Sequence, residues 1–455
     1  MMTLQEIARA VGGRLAGPDA VCNGVVTDTR AKVAGALFVA LAGERFDGHA
    51  FLAKAKEQGA AGALTTRPPA QTEPPAIVVD DTRAALGRLA AYWRNKHSAR
   101  VVAVTGSNGK TTVKEMIALI LAQAGPTIAT AGNLNNDIGM PLTLLRLRPE
   151  HRYAVIEIGM NRPGEIAALS AIAGPDVAVV TNAGHAHLEG LGTTRAVAAE
   201  KGQIYRALRA GGVAVINADQ PYAAAWRHAW SGRTITYGLE AAADVSARFT
   251  LTATGSNVRL SGPFGEEPLA VTLSVLGRHN VANAVAAAAA AAACAVPPAA
   301  IVAGLEAMHP VHGRLESLVG LHGMQLIDDT YNANPDSARA AVDVLANVSG
   351  ERFLVLGDMA ELGPEAAMLH KTLGAEAVRA GLEHIWTLGA LAAHASAAAG
   401  HRGRHYEELE ALIRDLQQAA HPHCAVLIKG SRRMGMERVV EALREEGTVD
   451  APVVV

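Results

Sequence analysis

The chain has 455 residues, and because domains average about 150 residues, its length predicts about three domains. Its 41 basic and 43 acidic residues leave a formal net charge of −2, which excludes the strong positive field that gathers nucleic acid or anionic membranes. Half of the residues are hydrophobic but only 4% are aromatic, so small aliphatic side chains should fill the cores of an α/β protein. A folded soluble enzyme, acting as a monomer, is the default expectation.

Three sequence features bear on location. The cysteines Cys22, Cys294 and Cys424 are far apart and lack metal-ligand spacing, which favours reduced thiols and a cytoplasmic protein. The first residues, MMTLQEIARAVGG, have neither the basic nor the apolar region of a secretory signal. The longest apolar stretch, Val281 to Val296, is alanine-rich and shorter than the ~20 residues of a membrane span, so a buried helix is expected there, with no membrane insertion.

Two proline-rich or glycine-containing stretches divide the chain. They are TTRPPAQTEPP at 65–75, followed by a short strand and a helix, and HPVHGR at 309–314. We therefore predict three domains, spanning residues 1–90, 91–311 and 312–455. The first is expected to be a small α/β domain, the second a central P-loop domain, and the third a Rossmann-like α/β domain.

Short β-branched runs alternate with helical segments in both larger domains. Such alternation is typical of doubly wound parallel sheets covered by helices. The predicted strands are Val101–Thr105, a short strand at Ile128, Tyr153–Ile158, Asp176–Thr181, Val213–Asn217, Gln325–Asp328, Phe353–Leu356, His384–Leu388 and Ala425–Lys429.

The run VVAVTGSNGKTT, from Val101 to Thr112, predicts a phosphate-binding loop between a strand and a helix. Glycines allow backbone N–H groups to face an anion, and the following helix N-terminus adds partial positive charge. The usual G-x-x-x-x-G-K-[ST] pattern would place a glycine at Val104, so this loop is a shorter form. A chance glycine-rich turn would not explain the lysine. The predicted nucleotide-binding residues are Gly106, Ser107, Asn108, Gly109, Lys110, Thr111 and Thr112.

Polar residues follow several other predicted strands, where ligands bind in open parallel sheets. Glu157 ends one strand and could reach a metal between phosphates, or could serve as a cap or surface carboxylate. The run NAGHAHLE at 182–189 offers two histidines, of which we favour His187 as a metal ligand over a simple polar turn. The asparagines of GNLNND could contact substrate or cap turns; they are Asn133, Asn135 and Asn136.

Three further residues allow two interpretations each. Lys201 has the helical spacing of an ordinary surface lysine. Asn280, at the start of the alanine-rich helix, could be a cap or could contact an adenine edge. Arg314, just after the second division, could reach across a cleft to a phosphate or could be an exposed linker charge.

The last domain carries two polar clusters at strand ends. One is DDTYNANP at 328–335, with Asp329, Tyr331, Asn332 and Asn334, and the other is KGSR at 429–432, with Lys429, Ser431 and Arg432. Carboxylates suit a ribose or a metal, and lysine, serine and arginine together suit a substrate carboxylate. Their position beside a P-loop domain predicts an interdomain active site that closes.

Seven runs in order resemble the Mur ligase family, whose members use ATP to form amide bonds in bacterial cell-wall synthesis. They are GSNGKTTVKEM from Gly106, GNLNNDIGMPLTLL from Gly132, NAGHAHLEG from Asn182, GRHNVANAVAAAA from Gly277, DDTYNANPDS from Asp328, LGDMAELG from Leu356 and KGSRRMGME from Lys429. The runs are most similar to the branch that joins D-alanyl-D-alanine to a UDP-linked muramoyl tripeptide. That resemblance implies ATP and Mg²⁺ as cofactors and an acyl-phosphate mechanism.

The resemblance also implies roles for individual residues. Lys110, Lys201 and His187 would be catalytic, with Lys201 at the position that family members carbamylate. Thr111, Glu157, His187 and Lys201 would serve the metal, and Asn280, Arg314 and Asp329 would contact ATP. The polar clusters of the last domain would hold the dipeptide.

In the first domain, the runs TDTR at 27–30 and ALFVALAGERFDGHAF at 36–51 resemble the UDP-binding domain of the same branch. They imply that Thr29, Arg45 and Asp47 bind the UDP-linked substrate, together with the asparagines of GNLNND. Two alternatives remain: the related ligase that adds the third amino acid, whose D-N-P-R-type motif is absent here, and a P-loop protein that binds nucleotide without catalysis.

Overall fold

The computed structural model describes residues 1–43 and 46–445. The first unit contains a five-stranded sheet in the order β2-β9-β8-β5-β4, in which only β2 is antiparallel to its neighbour, and two small two-stranded sheets. Its strands are β1 Met2–Thr3, β2 Arg14–Ala16, β3 Val21–Cys22, β4 Val25–Val26, β5 Leu37–Val39, β6 Ala42–Gly43, β7 Phe46–Asp47, β8 Gly62–Thr65 and β9 Ala76–Val78, and its helices are α1 Leu4–Val11, α2 Leu52–Glu57 and α3 Thr82–Asn95.

The central unit is built on a six-stranded, all-parallel sheet in the order β11-β12-β10-β13-β14-β15. Its strands are β10 Arg100–Thr105, β11 Thr127–Ala129, β12 Tyr153–Glu157, β13 Val177–Val180, β14 Val213–Asn217 and β15 Arg233–Tyr237. Its helices are α4 Lys110–Ala122, α5 Gly139–Leu144, α6 Glu165–Ala173, α7 Leu188–Leu191, α8 Thr194–Lys201, α9 Gln203–Arg206, α10 Ala223–His228, α11 Arg278–Ala293 and α12 Pro298–Glu306.

Both faces of this sheet are buried, which explains its continuous apolar strands. On β10, Val101 and Ala103 pack in one core with residues of α3, α5 and α6, while Val102 and Val104 pack in a second core with α4 and α11. The chain leaves β10 toward β11 and later crosses to β13 on the other side. The ends of β10 and β13 therefore form the crevice where ligands bind in such folds.

A three-stranded antiparallel sheet, β16 Ser246–Thr252, β17 Gly255–Ser261 and β18 Leu269–Leu273, lies beside the alanine-rich helix α11 and was not foreseen from the sequence. Its strands alternate buried and exposed side chains. The expected buried helix at Val281–Val296 is α11, which starts three residues earlier, at Arg278. None of the described helices is long and apolar enough to cross a membrane.

The third unit has a six-stranded sheet in the order β19-β20-β24-β21-β22-β23, in which β19 alone is antiparallel. Its strands are β19 Glu316–Val319, β20 Gln325–Asp329, β21 Glu351–Gly357, β22 His384–Leu388, β23 Gly403–Tyr406 and β24 Cys424–Lys429. Its α-helices are α13 Pro335–Ala346, α14 Ala366–Arg379, α15 Ala393–Ala398, α16 Leu409–Ala419 and α17 Glu437–Leu443. The predicted α/β fold class is confirmed. The predicted division after residue 90 falls within α3, which packs on α1 and also on α5 and α6.

Candidate active site

A cavity of about 1210 Å³ lies at the carboxyl ends of the central strands and is closed on its far side by the third unit. It brings together most of the residues predicted from the sequence. Those that line it are Ser107, Asn108, Gly109, Lys110, Thr111, Thr112, Asn133, Asn135, Asn136, Glu157, His187, Asn280, Arg314, Asp329, Tyr331, Asn332, Asn334 and Lys429.

The phosphate loop needs its two glycines for space and for backbone conformation. Gly106 and Gly109 have φ values of 157° and 77°, in the region that favours glycine. A Cβ atom on Gly106 would lie 1.8 Å from the Thr181 hydroxyl oxygen, and one on Gly109 would lie 2.4 Å from the Asn283 amide oxygen. The loop therefore packs against both the end of β13 and the start of α11.

The residues after β13 hold the phosphate loop in place. The backbone N–H of Ser107 donates to the Asn182 carbonyl (3.0 Å), and the N–H of Asn108 donates to the Asn182 side-chain oxygen (2.9 Å). The Thr181 hydroxyl and the Asn182 amide both donate to the Asn108 carbonyl, at 2.6 and 3.1 Å. These bonds preorganise the loop before any ligand binds.

Lys110 begins α4 and folds back over the loop. Its Nζ donates to the carbonyls of Gly106 (2.8 Å) and Ser107 (3.3 Å). Burial lowers the pKa of Lys110, Glu157 opposes that shift, and Arg314 adds to it. The ammonium thus lies among the loop, an acidic group and a second cation, as a phosphate-binding lysine should.

Glu157, the last residue of β12, is almost completely buried. Its Oε1 accepts a hydrogen bond from the Asn135 amide (2.7 Å), while its buried Oε2 has no hydrogen-bond partner in the described part of the chain. A buried, unpaired carboxylate oxygen is costly unless a cation binds it. Mg²⁺ prefers oxygen ligands, so Glu157 and the nearby Thr111 hydroxyl fit a magnesium ion.

Lys201, the last residue of α8, is 1% exposed, so the surface-lysine interpretation is wrong for this position. Burial and then the positive charge of Lys110 hold the pKa of Lys201 well below its usual value, against a smaller effect of Glu200. Its ammonium makes no hydrogen bond or ion pair within residues 1–43 and 46–445. Lys201 does not line the cavity.

The two histidines after β13 both contact the third unit. The His187 Nδ1 lies 2.9 Å from Glu361 Oε2, and this contact is the main cause of the lowered pKa of Glu361. His185 donates its backbone N–H to Asp336 Oδ2 (2.7 Å), and its Nδ1 lies 3.1 Å from Asp336 Oδ1. His187 has φ 58°, an uncommon value for a residue other than glycine.

Arg314 reaches across the cleft, so it is not merely an exposed linker charge. Its guanidinium donates to the Thr111 hydroxyl (2.9 Å) and lies 4.1 Å from the centre of the Tyr331 ring. Its Nε is buried without a hydrogen-bond partner in the described residues. The cation is therefore held against the Tyr331 ring and the Thr111 hydroxyl at the wall of the cavity.

The strand-end clusters of the third unit meet as predicted. Lys429 Nζ donates to Asp329 Oδ2 (2.6 Å) and to the Asn332 carbonyl (3.0 Å). Burial raises the pKa of Asp329, with Lys429 and Arg314 opposing the shift. Asn334 donates its side-chain N–H to Asn108 Oδ1 (2.7 Å), which joins the third unit directly to the phosphate loop.

Asn280 lies in the first turn of α11. Its Nδ2 donates to the Leu276 carbonyl (2.8 Å), and its Oδ1 accepts from Asn283 (2.9 Å). Both asparagines are buried and line the cavity, so the start of α11 presents amide groups beside Gly109.

Several predicted residues lie away from the cavity. Ser431 is buried and accepts from the Ala360 N–H (2.7 Å), while Arg432 is exposed near Glu437. In the first unit, Thr29 is buried and Asp47 accepts from the His49 backbone N–H (3.0 Å). Arg45 lies outside the described residues.

Some residues that line the cavity were not predicted from the sequence. Asp336 bonds His185, and Arg83 of α3 pairs with Asp137 (3.1 Å) at the edge of the cavity. Asp336 follows Asn334 and Pro335, the N-cap and first position of α13, so the helix-start pattern could have drawn attention to it. The pairing of Arg83 with Asp137 has no local sequence signal.

Family models match most of the chain. The Mur ligase family catalytic domain matches residues 22–94, the Mur ligase middle domain matches 104–291, and the Mur ligase glutamate ligase domain matches 313–432. The UDP-N-acetylmuramoyl-tripeptide--D-alanyl-D-alanine ligase of Escherichia coli is 44% identical over 98% of this chain and 99% of its own length. The chain belongs to the Mur ligase family. The resemblance predicted from the seven sequence runs is confirmed.

Solved structures agree with this assignment of the chain to the Mur ligases. A crystal structure of MurF from Acinetobacter baumannii superposes with a TM-score of 0.90 at 37% identity and covers 96% of this Mur ligase and 97% of the other chain. The MurF ligase of Thermotoga maritima in complex with ADP gives a TM-score of 0.82 at 28% identity, covering 92% and 96% of the two chains.

Proposed function

We propose that this Mur ligase uses ATP to join D-alanyl-D-alanine to a UDP-N-acetylmuramoyl-tripeptide, which forms the UDP-muramoyl-pentapeptide precursor of peptidoglycan. One observation carries this proposal: a single cavity contains the phosphate loop, a buried unpaired carboxylate oxygen and the Asp329–Lys429 pair of the third unit. Full-length similarity to ligases named for this reaction supports the choice of substrates.

ATP would bind between the central and third units. The phosphate-loop N–H groups, Lys110 and Thr112 would hold the phosphates, as the loop geometry favours. Asn280 would face the nucleotide from the central unit, and Arg314 and Asp329 would face it from the third unit. Lys110 is already oriented by the Gly106 and Ser107 carbonyls, so it needs little rearrangement to meet the γ-phosphate.

Thr111, Glu157 and His187 would hold Mg²⁺, which neutralises phosphate charge during the transfer. Lys201 would carry a carbamate formed with CO₂. A buried lysine with a strongly lowered pKa and no acceptor is prepared to react as the neutral amine, and the carbamate would replace a repelling cation with an anion beside Lys110.

The chemistry is a carboxylate attack followed by an amine attack. The terminal carboxylate of the tripeptide attacks the γ-phosphorus and releases ADP, and the dipeptide amine then attacks the acyl phosphate. The tetrahedral intermediate loses phosphate, and the amine loses a proton. Lys110 and Arg314 would stabilise the charge that moves from phosphate to the oxyanion, and the closed cleft would keep water from the acyl phosphate.

The remaining substrate groups would bind outside the nucleotide site. Thr29, Arg45 and Asp47 would contact the UDP portion in the first unit, and Asn133, Asn135 and Asn136 would contact the peptide. The dipeptide would lie against Tyr331, Asn332, Asn334, Lys429, Ser431 and Arg432. We further propose domains at residues 1–90, 91–311 and 312–455. We propose a monomer because one chain supplies all of the described residues that line the cavity, and a cytoplasmic location because Cys22, Cys294 and Cys424 are free thiols.

An acceptor panel tests the proposal. ADP formation is measured with either the UDP-muramoyl-tripeptide or a UDP-muramoyl-dipeptide, each with no amine, with single amino acids or with D-alanyl-D-alanine. We expect turnover that depends on both the tripeptide and the dipeptide. Turnover with a single amino acid and a UDP-muramoyl-dipeptide would instead indicate the ligase that adds the third residue, and nucleotide binding without any product would indicate a non-catalytic P-loop protein.

A further inference from the structure

A cluster of potential metal ligands surrounds the segment that carries Arg314. His312 precedes this arginine on the linker, Glu316 begins β19, and Asp328 lies on β20. Glu316 and Asp328 are paired residues in the antiparallel ladder. The three side chains come from two strands and a linker, and none of them has a role in the proposed ligase mechanism.

The ligand atoms of these side chains converge. His312 Nδ1 lies 3.1 Å from Glu316 Oε2 and 3.9 Å from Asp328 Oδ2, and the three atoms all lie within 4.8 Å of one another. The His312 side chain is 80% exposed, so an ion can enter from solvent. A tetrahedral zinc site with bonds of about 2.0 Å places its ligand atoms about 3.3 Å apart, so small side-chain rotations suffice.

Asp328 supplies an independent reason to expect a cation. It is 0% exposed, and its Oδ1 accepts from the backbone N–H (3.0 Å) and the hydroxyl (2.6 Å) of Thr330. Its Oδ2 has no hydrogen-bond partner among the described residues and faces His312. A buried carboxylate oxygen opposite a second carboxylate in the same ladder is destabilising unless a positive charge lies between them.

We propose that His312, Glu316 and Asp328 bind one divalent transition-metal ion of the zinc type, at a site separate from the magnesium site of the cavity. An imidazole ligand with two carboxylates suits Zn²⁺, whereas Mg²⁺ favours oxygen ligands and retains its waters. The bound ion links His312, before Arg314, and Glu316, after it, to Asp328 of β20. It therefore fixes the segment that presents Arg314 to the phosphate loop.

Zinc binding to the full-length protein tests this site. The chain, saturated with Mg²⁺ and ADP to occupy the catalytic site, is titrated with Zn²⁺ against a chromophoric zinc indicator. We expect one zinc ion per chain, with affinity reduced at least about 10-fold in His312→Ala and in Glu316→Gln. His312 is exposed and Glu316→Gln keeps the size of a partly buried side chain, so the fold should persist, and thermal unfolding of each variant in EDTA checks this.

His309→Ala is the matched control, because His309 is an exposed histidine on the same linker and should not change zinc affinity. Substitution with Co²⁺ gives a second measurement: visible absorption typical of low-coordinate cobalt should appear in the parent and in His309→Ala and be absent in His312→Ala. Zinc uptake that is absent, or equal in all variants, would overturn the proposal.

Discussion

At the residue scale, two lysines of the central unit, Lys110 and Lys201, have lowered pKa values. Lys110 lies over the phosphate loop, and its positive charge adds to the effect of burial in lowering the pKa of Lys201. Two uncompensated cations in a buried site repel each other unless anionic groups separate them. Phosphate on one side and a lysine carbamate on the other would both relieve this repulsion.

Lys110→Ala removes the donor that meets the γ-phosphate. Loss of one preorganised donor typically lowers kcat by about 100- to 1,000-fold, so we expect at least a 100-fold loss of ligation. Steady-state ADP release measures it, and circular dichroism should show an unchanged fold. Ligation within a few-fold of the parent rate would refute the phosphate role.

Lys201→Ala should abolish most activity, and added acetate or formate should restore part of it by supplying a carboxylate in the space left behind. Carbon-13 NMR of the parent protein in labelled bicarbonate should show a carbamate carbonyl that is missing in the variant. Absence of that signal, together with no rescue, would count against carbamylation.

At the element scale, the start of α13 both caps its own helix and contacts the phosphate loop. Asn334 Oδ1 accepts from the Ser337 N–H (2.9 Å), while its Nδ2 donates to Asn108 (2.7 Å). One asparagine thus caps a helix of the third unit and joins that unit to the phosphate loop. The two effects can be separated, because serine caps helices as well as asparagine does but is too short to reach Asn108.

Asn334→Ser should leave the free energy of unfolding almost unchanged and should lower kcat/KM for ATP about fivefold, the equivalent of one net hydrogen bond of about 1 kcal/mol. Asn334→Ala should also lose about 1 kcal/mol of stability. Chemical denaturation and steady-state kinetics on both variants measure these effects. Equal catalytic constants in Asn334→Ser and the parent would show that this bond does not contribute to closure.

An ion pair joins the starts of β21 and β22. The Arg352 guanidinium bonds both oxygens of Glu383 (2.7 and 3.0 Å) and lowers the pKa of Glu383 from its usual 4.5 to about 2. Because the pKa of Glu383 is lower in the folded than in the unfolded protein, its interaction with Arg352 stabilises the fold fully above about pH 4.5. This stabilisation is lost as the pH falls toward about 2.

Glu383→Gln should therefore lower stability at pH 7 by about 0.5–1 kcal/mol, a value reduced because the carboxylate is partly exposed. The difference from the parent should shrink below about pH 4.5, as urea unfolding at several pH values would show. Glu407→Gln, at an exposed position without an ion pair in the described residues, should show no such trend. If the difference in unfolding free energy between Glu383→Gln and the parent grew as the pH fell, the stabilising role of this ion pair would be refuted.

At the scale of the whole molecule, the sequence predicted the parallel sheets and most of the cavity. Buried strands followed by polar loops are local patterns, and the carboxyl ends of parallel strands meet at one edge of a sheet. Glu157 and the loop after β13 could therefore be placed together in the central sheet, and Asp329 and Lys429 could be placed together in the third. Contacts between units had no such local signal. The pairs His185–Asp336 and Arg83–Asp137 join residues 151 and 54 positions apart.

Two other features needed the three-dimensional structure. Lys201 has the spacing of a surface residue, and only the packing of α8 against the central sheet shows that it is buried. The strands β16 to β18 carry polar residues on one face and were not identified, because a half-exposed sheet has a weaker apolar pattern than the buried parallel strands.

In the proposed mechanism, the tripeptide carboxylate takes a phosphoryl group from ATP before the dipeptide attacks. Ligation of a tripeptide labelled with oxygen-18 in its terminal carboxylate tests this directly, with mass spectrometry of the phosphate and the peptide product. If this order of steps holds, one labelled oxygen leaves with each phosphate and one remains in the new amide. Product formation with unlabelled phosphate would contradict it.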